Sequence, residues 1–237
     1  MKDNRLLAAI VLSAAVSIIA GCAAPAPTIQ TGPDAELSFD GLHKVDHSVA
    51  DAAWARPDFD LSKYTKILPI EAQFEYRPDV NRARTTIERG RGGPYYIDEE
   101  RRAAFEAEVR EVFLEEMAKI QHFEFVTEPG PDVLLLRGAL LDIITSVPDE
   151  DDIPGRSEFF VSSVGEATLV LELRDSESGT ILARSIDRRA AERISGQMMN
   201  SNRVSNAQEV RRLIRFWATR LREFLDGYVA DAAASGA

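Results

Sequence analysis

The sequence predicts an α+β fold, a two-layer sandwich in which a largely antiparallel sheet carries two long helices on one face. Three patterns predict it. Residues 98–121 and 206–230 place apolar side chains at steps of three and four, the spacing of helices that bury one stripe. Residues 133–147 are almost continuously apolar, as a central strand is. Residues 166–174 alternate, and after the turn at Glu177-Ser178-Gly179 the chain returns over 181–191 as an antiparallel partner.

The N-terminal region predicts a destination for the chain. Lys2 and Arg5 precede an uncharged apolar run from Leu6 to Ala20, which closes on Gly21-Cys22. A basic start, a short apolar core and small residues at the cut are the parts of a secretory signal. The run is shorter than the roughly 20 residues that span a bilayer. Residues 1–21 therefore read as a lipoprotein signal peptide and Cys22, the single cysteine, as the lipidation site. One acyl chain holds only weakly, so two or more chains make a durable membrane anchor. Ala23 rather than an aspartate follows Cys22, which resembles the enterobacterial lipoprotein pattern for export onward and implies the outer membrane and its periplasmic face. Residues 22–40 read as a lipidated flexible tether, 41–230 as a single periplasmic α+β domain and 231–237 as a disordered tail.

Inside the domain, Trp54 and Phe59 lie in a segment interrupted by Pro57, which reads as an irregular arm on the core. Ile67, Leu68 and Ile70 make a short buried strand within 64–76. Asp98 is an N-cap, with Glu99 and Glu100 in the first turn, and Phe105, Val109, Val112, Phe113, Met117 and Ile120 form the apolar stripe of the first helix, which is expected to end near Gln121. Gly138, within the apolar run, marks a bulge or a close helix crossing. Asn206 with Glu209 resembles a capping box for the last helix, whose stripe runs through Leu213, Trp217, Leu221 and Leu225.

Composition excludes several functions. A formal net charge of −11 makes the chain a poor partner for nucleic acid, whose phosphates are met by clustered Lys and Arg. One cysteine permits no intramolecular disulfide. His43 and His47 are four apart but lack the glutamate that follows the first histidine of a zinc-peptidase helix, so no metal or other cofactor is expected. Arg82, Arg84, Arg89 and Arg91 sit among glycines in a loop without the Lys-Ser or Lys-Thr ending of a nucleotide cradle. They are the candidate contacts for an anionic envelope partner. The run Asp149 to Asp152 lacks the spacing of a calcium loop and reads as a solvated acidic stretch. Neither a Gly-x-Ser-x-Gly elbow nor a Cys-His pair occurs.

The signal ending Ile19-Ala20-Gly21-Cys22, Gly41-Leu42, the segment Asp58-Phe59-Asp60-Leu61-Ser62-Lys63-Tyr64-Thr65-Lys66-Ile67-Leu68, the helix from Asp98 and the return strand from Gly179 to Arg188 together resemble the bacterial lipoproteins of domain-of-unknown-function family 3313. The resemblance implies a tethered periplasmic domain and brings no catalytic residues. The expectation is a non-enzymatic, membrane-anchored envelope binding or assembly component, with a protein or other envelope partner. The alternative is a small-molecule binding or hydrolytic protein with a pocket between the helices and the arm around Trp54.

Overall fold

The computed structural model describes residues 25–78, 94–148, 160–192 and 197–235. The signal peptide, Cys22, the four loop arginines at 82, 84, 89 and 91, and the acidic run at 149–152 lie outside the described residues. Among the described residues no helix is long and apolar enough to cross a membrane.

Two helices and eleven strands are present among the described residues. The strands are β1 (Thr28–Ile29), β2 (His43–Asp46), β3 (Ala52–Ala55), β4 (Lys66–Pro69), β5 (Gln73–Tyr76), β6 (Glu124–Phe125), β7 (Val133–Thr145), β8 (Phe160–Val161), β9 (Ser163–Asp175), β10 (Ile181–Glu192) and β11 (Met199–Asn200). The helices are α1 (Glu99–Met117) and α2 (Arg203–Ser235). The main sheet runs β1-β2-β3-β10-β9-β7-β4-β6, with β5 also on β7, while β8 and β11 pair separately. The fold is α+β, as predicted. The sheet is antiparallel from β1 through β7, whereas β4 and β5 lie parallel to β7 and β6 parallel to β4.

The helices cover one face because side chains alternate along each long strand. Leu134 and Leu136 of β7 and Leu171 and Leu173 of β9 share one buried cluster with Met117 of α1 and Leu221 and Leu225 of α2. Leu140, Ile143 and Ala167 continue that face beneath Val109, Val112, Ile214 and Trp217. Each fully buried leucine, isoleucine or methionine here contributes about 1.5–3 kcal/mol. Trp217 Nε1 donates to Asp187 Oδ2 at 2.7 Å, which pins α2 to β10 across the two layers. Glu108 meets Arg211 at 2.6 Å, Glu116 meets Arg222 at 3.2 Å, and the backbone N–H of Gln121 meets Asp226 at 3.0 Å. The rising numbers on both sides mean that the helices run in the same direction.

Several boundaries differ from the sequence reading. Asp98 does cap α1, accepting from the Arg101 N–H at 2.7 Å, but the helix ends at Met117 and only a turn continues to Ile120. The cap of α2 is Asn202, whose Oδ1 accepts from the Ser205 N–H at 3.0 Å while Ser205 Oγ accepts from the Asn202 N–H at 3.2 Å. Asn206 is therefore inside the helix, and Glu209, which is buried, pairs instead with Arg212. The helix continues through Ser235, where the sequence predicts a tail. The arm of 41–61 contains β2 and β3, which extend the sheet beyond β10, and β1 draws Thr28 and Ile29 out of the predicted tether onto β2. Five residues, 23–27, then separate Cys22 from the sheet, a reach of about 20 Å at most.

Candidate functional site

A cleft of about 300 Å³ opens between α1 and the sheet, where the β4–β5 connection crosses the edge of β7. Its physical origin is Gly138. Gly138 pairs with Leu171, a residue of the helix-covered face, so a side chain at 138 would point beneath α1. None is there, and a Cβ built at this glycine would meet only Leu171 Cδ2, at the ordinary contact distance of 3.7 Å. The prediction of a bulge or a close helix crossing at Gly138 is corrected accordingly. The register shift falls between Leu141 and Ile144, where Asp142 takes a left-handed φ of 52°.

Leu136, Leu140, Leu169 and Leu171 from the sheet and Val109, Phe113 and Met117 from α1 wall the cleft. The described lining holds no Ser, Thr, Cys, His, Tyr, Asp or Lys. Its two ionisable groups, Glu71 and Arg110, stand on the rim and lie 3.4 Å apart. The chemistry that such a lining offers is burial of apolar surface. The pocket predicted around Trp54 is not where the cavity lies. Trp54 pairs with Arg184, which pairs with Glu172, so all three are on the sheet face turned away from the helices.

That opposite face carries the charge. Arg184, 9% exposed, holds Glu172 at 2.9 Å and Asp40 at 2.6 Å, and Arg174 holds the other Glu172 oxygen at 2.6 Å. Burial pushes the Glu172 carboxyl up, but the two guanidiniums outweigh it and hold it below the ordinary glutamate value. The bond from Arg184 likewise lowers Asp40. Further along, Asp142 accepts from Arg77 at 2.6 Å and from Arg188 at 2.5 Å, and these two bonds hold its carboxyl far below the usual carboxylate range. These groups are satisfied by one another. Their arrangement ties strands and the 38–42 loop together.

His43 lies on β2 with Nδ1 2.8 Å from the Gln30 carbonyl, and His47 follows it in a left-handed turn with φ 58°. Among the described residues no group of three His, Cys, Asp or Glu side chains is placed to hold a metal ion. His122 meets Asp226 at 3.1 Å across the helix pair.

The fold and the cleft together define a two-layer α+β protein with an apolar cavity at the seam of helix and sheet. Residues 35–221 match the family model described as "Protein of unknown function (DUF3313)", well over half of the chain. The chain belongs to this family. No curated protein matches it. Among solved structures, it is similar to a protein from Xanthomonas campestris of family DUF330, with 12% identity and a TM-score of 0.39 over 76% of this chain and 93% of that one. It is similar also to a neuraminyllactose-binding hemagglutinin homolog from Helicobacter pylori, with 13% identity and a TM-score of 0.38 over 76% and 95%. A third, the PelC dodecamer from Paraburkholderia phytofirmans, shows 10% identity and a TM-score of 0.32 over 68% and 89%.

Proposed function

We propose that this chain is a non-enzymatic envelope lipoprotein, anchored through Cys22 at the periplasmic face of the outer membrane, that binds an apolar ligand in the cleft between α1 and β7. The cleft carries the reading. A cavity at the small end of the size range of ligand sites, apolar throughout its depth and open at one edge, suits capture without chemistry. Leaving such a space empty forgoes packing that a side chain at 138 would supply.

Gly138→Val tests the reading, because it fills the floor of the cleft without touching its rim. A β-branched residue also suits a strand better than glycine does. The variant is expected to be more stable by about 0.5–1 kcal/mol, read as a rise in Tm, while the fluorescence enhancement of N-phenyl-1-naphthylamine by the protein falls at least tenfold. A dye signal unchanged in a folded variant would remove the cleft from the proposal. The anchor has a separate test. Cys22→Ser in the full chain is expected to abolish labelling by a palmitate analogue and move the protein from the membrane pellet to the soluble periplasm. Wild-type protein that fractionates as soluble and unlabelled would refute the anchor.

A further inference from the structure

The mouth of the cleft restricts the ligand further than its walls do. Ile70, Leu114 and Phe125 are 39%, 57% and 38% exposed and carry the apolar lining out onto the surface. At the same rim Arg110 Nη2 lies 3.4 Å from Glu71 and 3.4 Å from Glu106, with its guanidinium 5.0 Å over the Phe74 ring. Both polar contacts are long for a charge-assisted hydrogen bond, and the Glu71 side chain is 82% exposed. A loosely held cation and a loosely held anion therefore stand side by side at the entrance to an apolar slot.

We infer that the cleft takes one alkyl chain of a zwitterionic aminophospholipid, with the chain running to Gly138, the phosphate on Arg110 and the ammonium on Glu71. This rests on the reading that the cleft binds an apolar ligand, and names the ligand's class. The volume is about twice that of the dry engineered cavity, about 150 Å³, that accepts benzene. A ligand of this size with polar groups along its length would lose their hydration without finding partners.

The rim selects the head. A purely anionic head would gain Arg110 but face Glu71 and Glu106, and a purely cationic one would gain the glutamates but face Arg110. An aminophosphate head meets Arg110 and Glu71 each with the opposite sign, while Glu106 is occupied by the Tyr76 hydroxyl, which donates to it at 3.3 Å.

The test compares two lysophospholipids with the same 12-carbon chain, one with an ethanolamine and one with a glycerol head, each below its micelle concentration. Both are titrated against N-phenyl-1-naphthylamine bound to the full mature domain. The ethanolamine lipid is expected to displace the dye about three- to fivefold more effectively, the size of one exposed ion pair. Glu71→Gln, at an exposed position, is expected to erase that preference. Equal or reversed potency in the wild type, or a preference that survives Glu71→Gln, would overturn the head assignment and leave the cleft reading standing. If the dye does not bind the wild type at all, both fall.

Discussion

Glu172→Ala is expected to destabilise the domain by about 3 kcal/mol, a fall in Tm of roughly 6–12 °C for a chain of this size. Glu172 is 9% exposed, and its carboxylate receives Arg184 through one oxygen and Arg174 through the other. Removing it leaves Arg184, equally buried, with Asp40 as its remaining partner. Breaking a buried pair by deleting one member costs about 3–5 kcal/mol because the other charge stays behind, and Asp40 places this case at the lower end. The double replacement Glu172→Leu with Arg184→Met removes both charges and is expected to recover most of the loss. A single variant as stable as the wild type would show that water reaches this site.

The same carboxylate sets an acid limit. Its folded pKa is held below the unfolded value, so its stabilising effect is complete above the ordinary glutamate pKa, near 4.3, and is lost as pH falls through the lower folded value. Asp40 and Asp142 are depressed in the same sense and add to the loss. Glu172→Gln should therefore flatten the fall of Tm with pH below about 4, relative to the wild type.

What could be read from the sequence followed the strength of local pattern. The stripes of α1 and α2, the long apolar β7 and the turn at Gly179, with φ 68°, are each specified within a dozen or so residues. β2 and β3 are not. His43–Asp46 is mostly polar and Ala52–Ala55 consists of alanine around one tryptophan, so each holds a single strand-favouring residue, Val45 or Trp54, too few to mark a strand. They become strands because β10 offers an unpaired edge, and Asp51 Oδ2 fastens their turn by accepting from the Arg188 N–H at 2.8 Å. The parallel edge was hidden for the same reason, since register between β4 and β7 is a tertiary fact. The cleft left one mark in the sequence, a glycine inside an apolar run. A missing side chain reports only that space is needed there. Whether a helix moves in to fill it or the space stays open depends on the path of α1, held at Tyr76 and Phe74 by Phe105.

Gly165 behaves in the opposite way to Gly138, although both sit in adjoining strands of one sheet. Gly165→Ala is expected to cost about 3 kcal/mol, at the upper end for forcing volume into a packed site. The bulge in β7 sets two residues, Asp142 and Ile143, against Ala167 of β9, and pairing resumes at Ile144 with Glu166 and at Thr145 with Gly165. This brings the two backbones so close that a Cβ at 165 would fall on the Ile144 carbonyl oxygen and lie 3.2 Å from Thr145 Cα. Neither is a side chain that can swing aside. The strands must separate, which breaks the bond from the Ser146 N–H to the Val164 carbonyl, 2.8 Å, and loosens the Val161–Val164–Ala191 cluster behind it. Thermal unfolding and amide exchange on the two glycine variants check this together. Gly165→Ala should lower Tm by roughly 6–12 °C with exchange rising first at 144–146 and 163–166, whereas Gly138→Val should raise Tm and leave those amides protected. A Gly165→Ala variant as stable as the wild type would mean that the ladder beyond the bulge is looser than the register between Ile144 and Glu166 requires.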